Sequence, residues 1–297
     1  MLPRLHIEPT TRCTLGCPRC GRTVLLEKFG KKSLSIIDLD PSALDEFIDV
    51  NIATISLCGN NGDPIYHKNL KDLIKVCKKH SEKIVIKTNG GHRTKHWWAE
   101  IVELFEENDE IHFSIDGTPE NFTKYRINGD WNSTLIGINQ CVSSKVKTIW
   151  KYIPFSFNEN DINTARNLAT DLGFDRFWVD PSDRWEDNDW LKPKTHELIG
   201  SRSEVRNNFK YHEQRDLDID PKCKTNHTHF INANGHYMPC CMMSDYRFYY
   251  KSQWWKNKDQ YDIKTTKLSQ QLTNFNEFYK TIHTNKPDYC LFTCGKC

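Results

Sequence analysis

The sequence has no long hydrophobic run and no strong excess of either charge. No stretch of its 297 residues approaches the ~18 consecutive apolar residues that a membrane-spanning helix needs. The opening residues, MLPRLHIEPTTRC, lack the basic and apolar segments of a secretory signal peptide. The formal net charge is +2, so bulk electrostatics points to no particular partner. We therefore expect no membrane association and a reducing, cytoplasmic location.

Cysteine, by contrast, is abundant, with twelve residues in a chain for which we expect few disulfides. In a reducing compartment, clustered cysteines indicate metal binding or catalysis. Three lie close together near the start, at Cys13, Cys17 and Cys20. Six more follow residue 222, and these are Cys223, Cys240, Cys241, Cys290, Cys294 and Cys297.

Residues 4–182 alternate between strand-like and helix-like patterns. The strand-like runs cover residues 4–9, 53–59, 83–90, 110–117, 147–155 and 175–182. The helical pattern at 39–51 begins with Asp40 as an expected N-cap and Pro41 in the first turn. Six strand–helix units predict an α/β fold with a parallel sheet, curled into a partial (β/α)6 TIM barrel. In such folds chemistry gathers at the carboxyl ends of the strands.

The composition changes twice along the chain, which predicts three regions. Residues 1–182 form the barrel, residues 183–222 are a charged linker or bridge, and residues 223–297 are a small cysteine-rich domain. The linker is either a surface excursion or a segment that contacts substrate. In residues 246–261, Tyr and Trp alternate with Lys and Arg. Such a mixture packs a small domain or binds nucleic acid. The near-neutral charge favours packing, so we expect no nucleic-acid partner.

The spacing Cys-x3-Cys-x2-Cys in RCTLGCPRC matches a three-thiolate iron–sulfur loop that follows the first strand. A four-iron cluster with three protein ligands keeps one iron open for a small molecule, as a catalytic metal site does. Taken alone, the triad also fits half of a zinc knuckle.

The triad and the motifs after it resemble the radical S-adenosylmethionine (radical SAM) superfamily. The further motifs are GNNGDP after strand two, TNG at the end of strand three, SIDG at the end of strand four, and KYRINGDW. The resemblance implies that Cys13, Cys17 and Cys20 bind a 4Fe–4S cluster whose open iron binds S-adenosylmethionine. It also implies reductive cleavage to a 5′-deoxyadenosyl radical, which abstracts hydrogen from a peptide or small-molecule substrate. A reductant protein such as flavodoxin or ferredoxin would supply the electron.

The same resemblance implies contacts to S-adenosylmethionine from several strand ends. The expected residues are Asn61, Gly62, Asp63, Thr88, Asn89, Ser114, Asp116 and Arg126. Asp63 would receive the ammonium and Arg126 would pair with the methionyl carboxylate. Alternatively, Asp63 is a turn residue and Arg126 an ordinary salt-bridge or surface residue. Two positions depart from the family pattern: Arg19 replaces an aromatic residue that contacts adenine, and Asp63 replaces a Glu.

The late cysteines resemble the Twitch domain, a shortened relative of the SPASM domain. This resemblance implies one auxiliary 4Fe–4S cluster, which would aid oxidation or substrate binding. Its expected ligands are Cys223, Cys240, Cys294 and Cys297, with Cys241 or Cys290 as replacements. A structural zinc site remains an alternative, because two cysteine pairs suit zinc equally well.

Two other functional classes remain open at this stage. One is a non-catalytic iron–sulfur electron-transfer protein, and the other is a zinc-stabilised binding protein. The main expectation is a radical SAM oxidoreductase or modifying enzyme. Nothing in the sequence identifies its substrate or a catalytic acid or base.

Overall fold

Six parallel β-strands form one sheet in the order in which they occur along the chain. The protein is described by a computed structural model that covers residues 1–185, 188–200, 217–223 and 228–296. The six strands are β1 Leu2–Ile7, β2 Ile52–Leu57, β3 Ser81–Thr88, β4 Glu110–Ser114, β5 Lys147–Tyr152 and β6 Arg176–Val179. Each predicted strand is therefore present, and all six end earlier than the sequence pattern suggested.

Helices connect the parallel strands, as the alternating pattern predicts. They are α1 Gly21–Phe29, α2 Pro41–Phe47, α3 Leu70–His80, α4 Lys95–Val102, α5 Trp131–Val142 and α6 Ile162–Asp171. The expected N-cap of α2 is confirmed, because the Asp40 side chain accepts a hydrogen bond from the Ser42 backbone N–H at 3.0 Å. This capping fixes where α2 begins.

The two faces of the sheet differ in chemistry. One face carries apolar residues such as Leu5, Ile55 and Ile86, and it packs against helices α2 to α6 in the main core. The opposite face, which we call the inner face, carries polar residues including His6, Ser56, Lys87 and His112. They occupy alternate positions on the same strands. A parallel sheet with one helix-covered face is consistent with the predicted partial TIM barrel.

The C-terminal region adds strands to this sheet. Strand β8 (Thr228–Ile231) runs parallel to β1, with Ile231 opposite Ile7, and β9 (Tyr237–Met238) pairs antiparallel with β8. A second, two-stranded sheet joins β7 (Asp218–Ile219) to β10 (Gly295–Lys296). Within residues 228–296, the α-helices are α7 Gln253–Lys256, α8 Leu268–Asn285 and α9 Asp288–Cys294. Strand β1 is therefore hydrogen-bonded on both sides.

Aromatic residues of the 246–261 segment lie inside the C-terminal region. Phe248, Tyr249 and Trp254 are buried in a second apolar core, and the Trp254 indole N–H donates to the Tyr237 carbonyl at 3.0 Å. Arg247 pairs with Asp245 at 2.6 Å. These contacts match the packing interpretation of the segment.

The proposed domain boundaries at 182 and 222 remain predictions. Much of the linker, and Cys297, lie outside the described residues. Among the residues that are described, no helix is long and apolar enough to cross a membrane.

Candidate active site

The three early cysteines lie in the loop between β1 and α1, at the carboxyl end of the sheet. Cys17 is buried, and Cys13 and Cys20 are partly buried against the same apolar group. The Cys20 backbone N–H donates to the Cys17 carbonyl at 3.0 Å, which closes the loop. Burial is the main cause that raises the pKa of the Cys13 thiol to about 12. Thiolates there need a bound cation for stabilisation, which a metal centre supplies.

Asp63 follows β2 and is hydrogen-bonded to residues at the end of β3. Its Oδ1 accepts hydrogen bonds from the Thr88 hydroxyl at 2.7 Å and the Ile65 N–H at 3.2 Å, and its Oδ2 accepts one from the Asn89 N–H at 2.6 Å. The Asn89 amide in turn donates to the Cys13 Sγ at 3.8 Å. Three of the predicted contact residues are therefore linked to the triad. A carboxylate has about four acceptor positions, so Asp63 retains one for a further donor.

Gly62 is required by a close approach between two loops. A Cβ at this position would lie 1.9 Å from the Thr10 carbonyl oxygen. The adjacent Asn61 N–H donates to the Glu8 carboxylate at 2.6 Å, and the Arg22 guanidinium donates to the Asn61 carbonyl at 3.3 Å. Glu8 is buried at the end of β1 and was missed by the sequence analysis. A carboxylate directly after an apolar strand, at the carboxyl end of the sheet, was the available signal.

Arg126 lies between a carboxylate and a cysteine of the triad. Its Nη2 is 2.7 Å from the Asp116 Oδ2, and its Nη1 donates to the Cys17 Sγ at 3.7 Å. The Asp116 Oδ1 accepts from the Ile153 N–H at 2.8 Å. Burial opposes the charged guanidinium, but Asp116 and Cys17 outweigh it and raise the pKa of Arg126. Ser114 is the last residue of β4, on the inner face of the sheet.

Part of the predicted linker covers the triad loop. Arg19, where an aromatic residue was expected, pairs with the buried Asp189 at 2.7 Å. Trp185 and Leu191 are buried in the apolar group that includes Cys17. Trp185, Asp189 and Leu191 of the linker therefore pack on the site and shield it from water.

The late cysteines converge through the C-terminal elements. Cys290 and Cys294 are four residues apart on α9, and so they share one helix face. The Asp220 N–H donates to the Cys294 carbonyl at 2.8 Å, which brings the segment ending at Cys223 to the same place. Burial is the main cause that raises the pKa of Cys290, and Cys223 and Cys294 add to the effect.

The adjacent Cys240 and Cys241 have different surroundings. Cys240 is close enough to Cys290 for the two thiols to interact electrostatically. Cys241 hydrogen-bonds with Cys240 and with the His6 imidazole on the inner face of β1. Cys240 is therefore the member of this pair that faces the other late cysteines.

A cavity of about 800 Å³ lies elsewhere in the C-terminal region. It is lined by Trp254, Tyr261, Phe278 and other residues of 247–289. No triad cysteine or predicted S-adenosylmethionine contact lines it, so the catalytic hypothesis rests on the strand ends instead.

The separation of the metal-binding side chains bears on which metal each cysteine group can hold. In the described ranges, no three His, Cys, Asp or Glu side chains converge closely enough to hold a single ion. A four-iron cluster places its own iron and sulfide between the cysteine sulfurs, so its ligands stand farther apart than those of one zinc ion. The triad, with three thiols and donors directed at two of them, fits such a cluster.

A mostly parallel α/β sheet with a three-cysteine loop after its first strand defines a partial-barrel protein with a thiolate site at the strand ends. The profile of the Radical SAM superfamily matches residues 7–169, more than half of the chain, so the chain belongs to that superfamily. Membership implies a 4Fe–4S cluster and S-adenosylmethionine as cofactors.

Solved structures support the fold. SuiB of Streptococcus suis bound to S-adenosylmethionine is 14% identical, with a TM-score of 0.56, over 88% of this chain and 66% of the SuiB chain. SuiB bound to its precursor peptide SuiA is 14% identical, with a TM-score of 0.53, over 82% of this chain and 61% of that chain. This chain thus spans slightly less than two thirds of SuiB. No curated protein matches it.

Proposed function

We propose that this chain is an enzyme that holds a 4Fe–4S cluster on Cys13, Cys17 and Cys20 and abstracts hydrogen from its substrate. The observation that carries the proposal is the placement of the three thiols at the end of β1, with Asn89 directed at Cys13 and Arg126 at Cys17. When bound, the cluster and S-adenosylmethionine supply a 5′-deoxyadenosyl radical for this chemistry.

The chain's own residues would position the cosubstrate. The predicted contacts from Asn61 to Asp63 place backbone carbonyls and one remaining carboxylate acceptor where an ammonium would bind. The Glu8 carboxylate fixes this loop through the Asn61 N–H, and Gly62 allows the loop to lie against Thr10. Arg126 would pair with the methionyl carboxylate, as an arginine does with carboxylates. These assignments, with Ser114 and Asp116, are part of the proposal.

Exclusion of water is the second task of the site. Cys17, Leu15, Phe155, Trp185 and Leu191 are buried together around the triad. An apolar, closed environment prevents quenching of reactive species and strengthens electrostatic contacts. The linker residues Trp185 and Leu191 therefore belong to the proposed active site.

We further propose a second cluster on the late cysteines. Cys223, Cys240 and Cys294 are ligands in this proposal, and the fourth is Cys297 or Cys290. The proximity of Cys290 to the other three supports it as the replacement.

The substrate class is a peptide or a small molecule. The similarity to SuiB bound to a precursor peptide supports the peptide option. A flavodoxin or ferredoxin would supply the electron. The cytoplasmic location and the three-region domain division remain predictions.

The triad provides the decisive test. Replacing Cys13, Cys17 and Cys20 together by Ala should abolish 5′-deoxyadenosine formation under dithionite, while iron bound by the late cysteines persists. Product is measured by chromatography and iron by quantitation of anaerobically purified protein. We expect about eight irons per wild-type chain and about four in the triple variant, since each 4Fe–4S cluster contains four.

Other outcomes discriminate between the alternatives. About four irons plus one zinc in the wild type would support a structural zinc site in place of the second cluster. A full complement of iron with no cleavage of S-adenosylmethionine would indicate an electron-transfer protein. Unchanged 5′-deoxyadenosine formation by the triple variant would refute the proposal.

A further inference from the structure

A row of polar side chains crosses the inner face just below the strand ends. The register aligns Ile7, Leu57, Ile86 and Ile111 across β1 to β4 on the helix-covered face. The next residue along the chain lies within β3 and β4 and directly after the last residue of β1 and β2, and its side chain points to the inner face because side chains alternate along extended backbone. That next row consists of Glu8, Cys58, Lys87 and His112.

Lys87 carries a charge that is balanced only at a distance, by the neighbouring Cys58 thiol, whose pKa the ammonium helps to lower. Within the described part of the chain, no hydrogen bond or ion pair involves the Lys87 ammonium, although the side chain is only partly exposed. Its neighbour Lys151, by contrast, pairs with Asp180 at 2.6 Å. Burying an unpaired ammonium is costly, so this position favours an anion that arrives from solution.

His112 offers a hydrogen-bond acceptor beside Lys87. The two residues are direct partners in the β3–β4 register. The His112 Nε2 lies 2.7 Å from the Glu110 Oε2, and an ionised carboxylate only accepts hydrogen bonds. The Nε2 atom therefore carries the hydrogen. Burial is the main cause that lowers the pKa of His112. The Glu110 carboxylate opposes the shift, while Lys87 and Lys151 add to it, so the neutral ring is favoured.

Two buried polar atoms on this face lack partners. His112 and Ser56 are each only 7% exposed, and neither the His112 Nδ1 nor the Ser56 Oγ has a hydrogen-bond partner among the described residues. In the neutral ring just described, Nδ1 is an acceptor. Buried polar atoms are normally satisfied, so these two indicate a ligand or ordered water.

The row is adjacent to the proposed active site. Lys87 directly precedes Thr88 and Asn89, which bond to Asp63, and Asn89 reaches the Cys13 Sγ. A molecule held over Lys87 and His112 would therefore lie against the loop that holds the triad.

We propose that Lys87, His112 and Ser56 form the substrate-binding set of this enzyme. They select a molecule that combines an anionic group, carboxylate or phosphate, with a hydroxyl or amine donor. Lys87 binds the anion, His112 Nδ1 accepts from the donor, and Ser56 adds a further hydrogen bond. The inference rests on the proposed function, because it places the substrate beside the triad.

Anion binding tests the inference without turnover. Reconstituted protein saturated with S-adenosylmethionine, which fills the cosubstrate's own carboxylate position, is titrated with inorganic phosphate and separately with acetate. Binding is followed by phosphorus NMR line broadening and by saturation transfer to the acetate methyl group. Lys87→Gln should weaken binding by about tenfold, since a charge-assisted hydrogen bond is lost. Lys87→Arg should retain it, because the charge remains.

Two controls make the result specific. Lys145→Gln removes an exposed lysine and should leave binding unchanged. Circular dichroism establishes that each variant is folded. A second variant, His112→Gln, removes a neutral hydrogen-bonding group and should weaken anion binding less than Lys87→Gln does. Saturable binding of one probe only would identify that anion as the substrate's group.

The overturning results are equally clear. Absence of saturable binding to the wild type, or equal loss in Lys87→Gln and Lys145→Gln, refutes the inference. The measurement needs no catalysis. Protein that binds the anion through Lys87 and forms no 5′-deoxyadenosine would therefore refute the proposed function alone.

Discussion

Arg126 shows how one side chain serves two neighbours at this site. Its guanidinium contacts the buried Asp116 carboxylate at 2.7 Å and donates to the Cys17 Sγ at 3.7 Å. Arginine suits such a position because its donors are fixed in a planar fork and its charge is permanent. The sequence placed Arg126 near the methionyl group, but contact with a cysteine of the triad is visible only in three dimensions.

We expect Arg126→Gln to lower the reduction potential of the triad cluster. Hydrogen bonds and positive charge near cluster sulfurs favour the reduced, more negative state, so their removal disfavours it. A redox titration followed by electron paramagnetic resonance measures the midpoint potential. Lys124→Gln, which removes an exposed charge two residues away, is the matched control. An unchanged potential in Arg126→Gln with intact iron content would show that the contact has no electronic role.

At the scale of elements, the loops after β1 and β2 depend on each other. Gly62 brings one loop against Thr10, and the Asp63 N–H donates to the Arg12 carbonyl at 2.8 Å. A side chain at position 62 has no space, because both nearest partners are backbone.

Gly62→Ala should therefore lower the free energy of unfolding by about 1–3 kcal/mol, the usual cost of overpacking. It should also weaken binding of S-adenosylmethionine, since the displaced loop carries Asn61 and Asp63. Chemical denaturation and calorimetry measure the two effects. Gly91→Ala is the control, because its Cβ would meet no atom closer than 3.5 Å. Equal behaviour of the two variants would contradict the account.

The sequence predicted which segments form strands better than it predicted which strands pair with each other. Alternating residues such as those of "KIVIKT" revealed β1 to β6, because core-facing and inner-facing positions differ in polarity. The same alternation placed Lys87 and His112 on the inner face, opposite the apolar face. The motif-based prediction of site residues did not include them. The pairing of β8 with β1 was not predictable, because no local pattern specifies a neighbour more than two hundred residues away along the chain.

Across the whole molecule, we expect metal binding and folding to be coupled most strongly in the C-terminal region, where the second cluster is proposed. β7 and β10 form only two register pairs, and α9 has seven residues. Elements this short have little intrinsic stability, so the late cysteines and their metal would hold them together. The barrel has a large apolar core of its own.

Iron removal should therefore have a localised effect. After treatment with chelator and reductant, hydrogen exchange should lose protection at 217–223 and 288–296, and β2 to β5 should remain protected. The triple Cys→Ala variant, which keeps the late cysteines, should retain that protection before chelation. Protection at 288–296 that survives complete loss of iron would mean that the region folds without metal.

The double pairing of β1 also bears on biosynthesis. One edge of the strand that leads into the triad is completed by residues 228–231, which the ribosome produces after β1 to β6. Until then a nascent chain exposes an unpaired strand edge, the kind of surface that invites association with other chains. The interval between synthesis of β1 and synthesis of residues 228–231 is therefore the one in which we expect protection of the β1 edge by a chaperone to matter most.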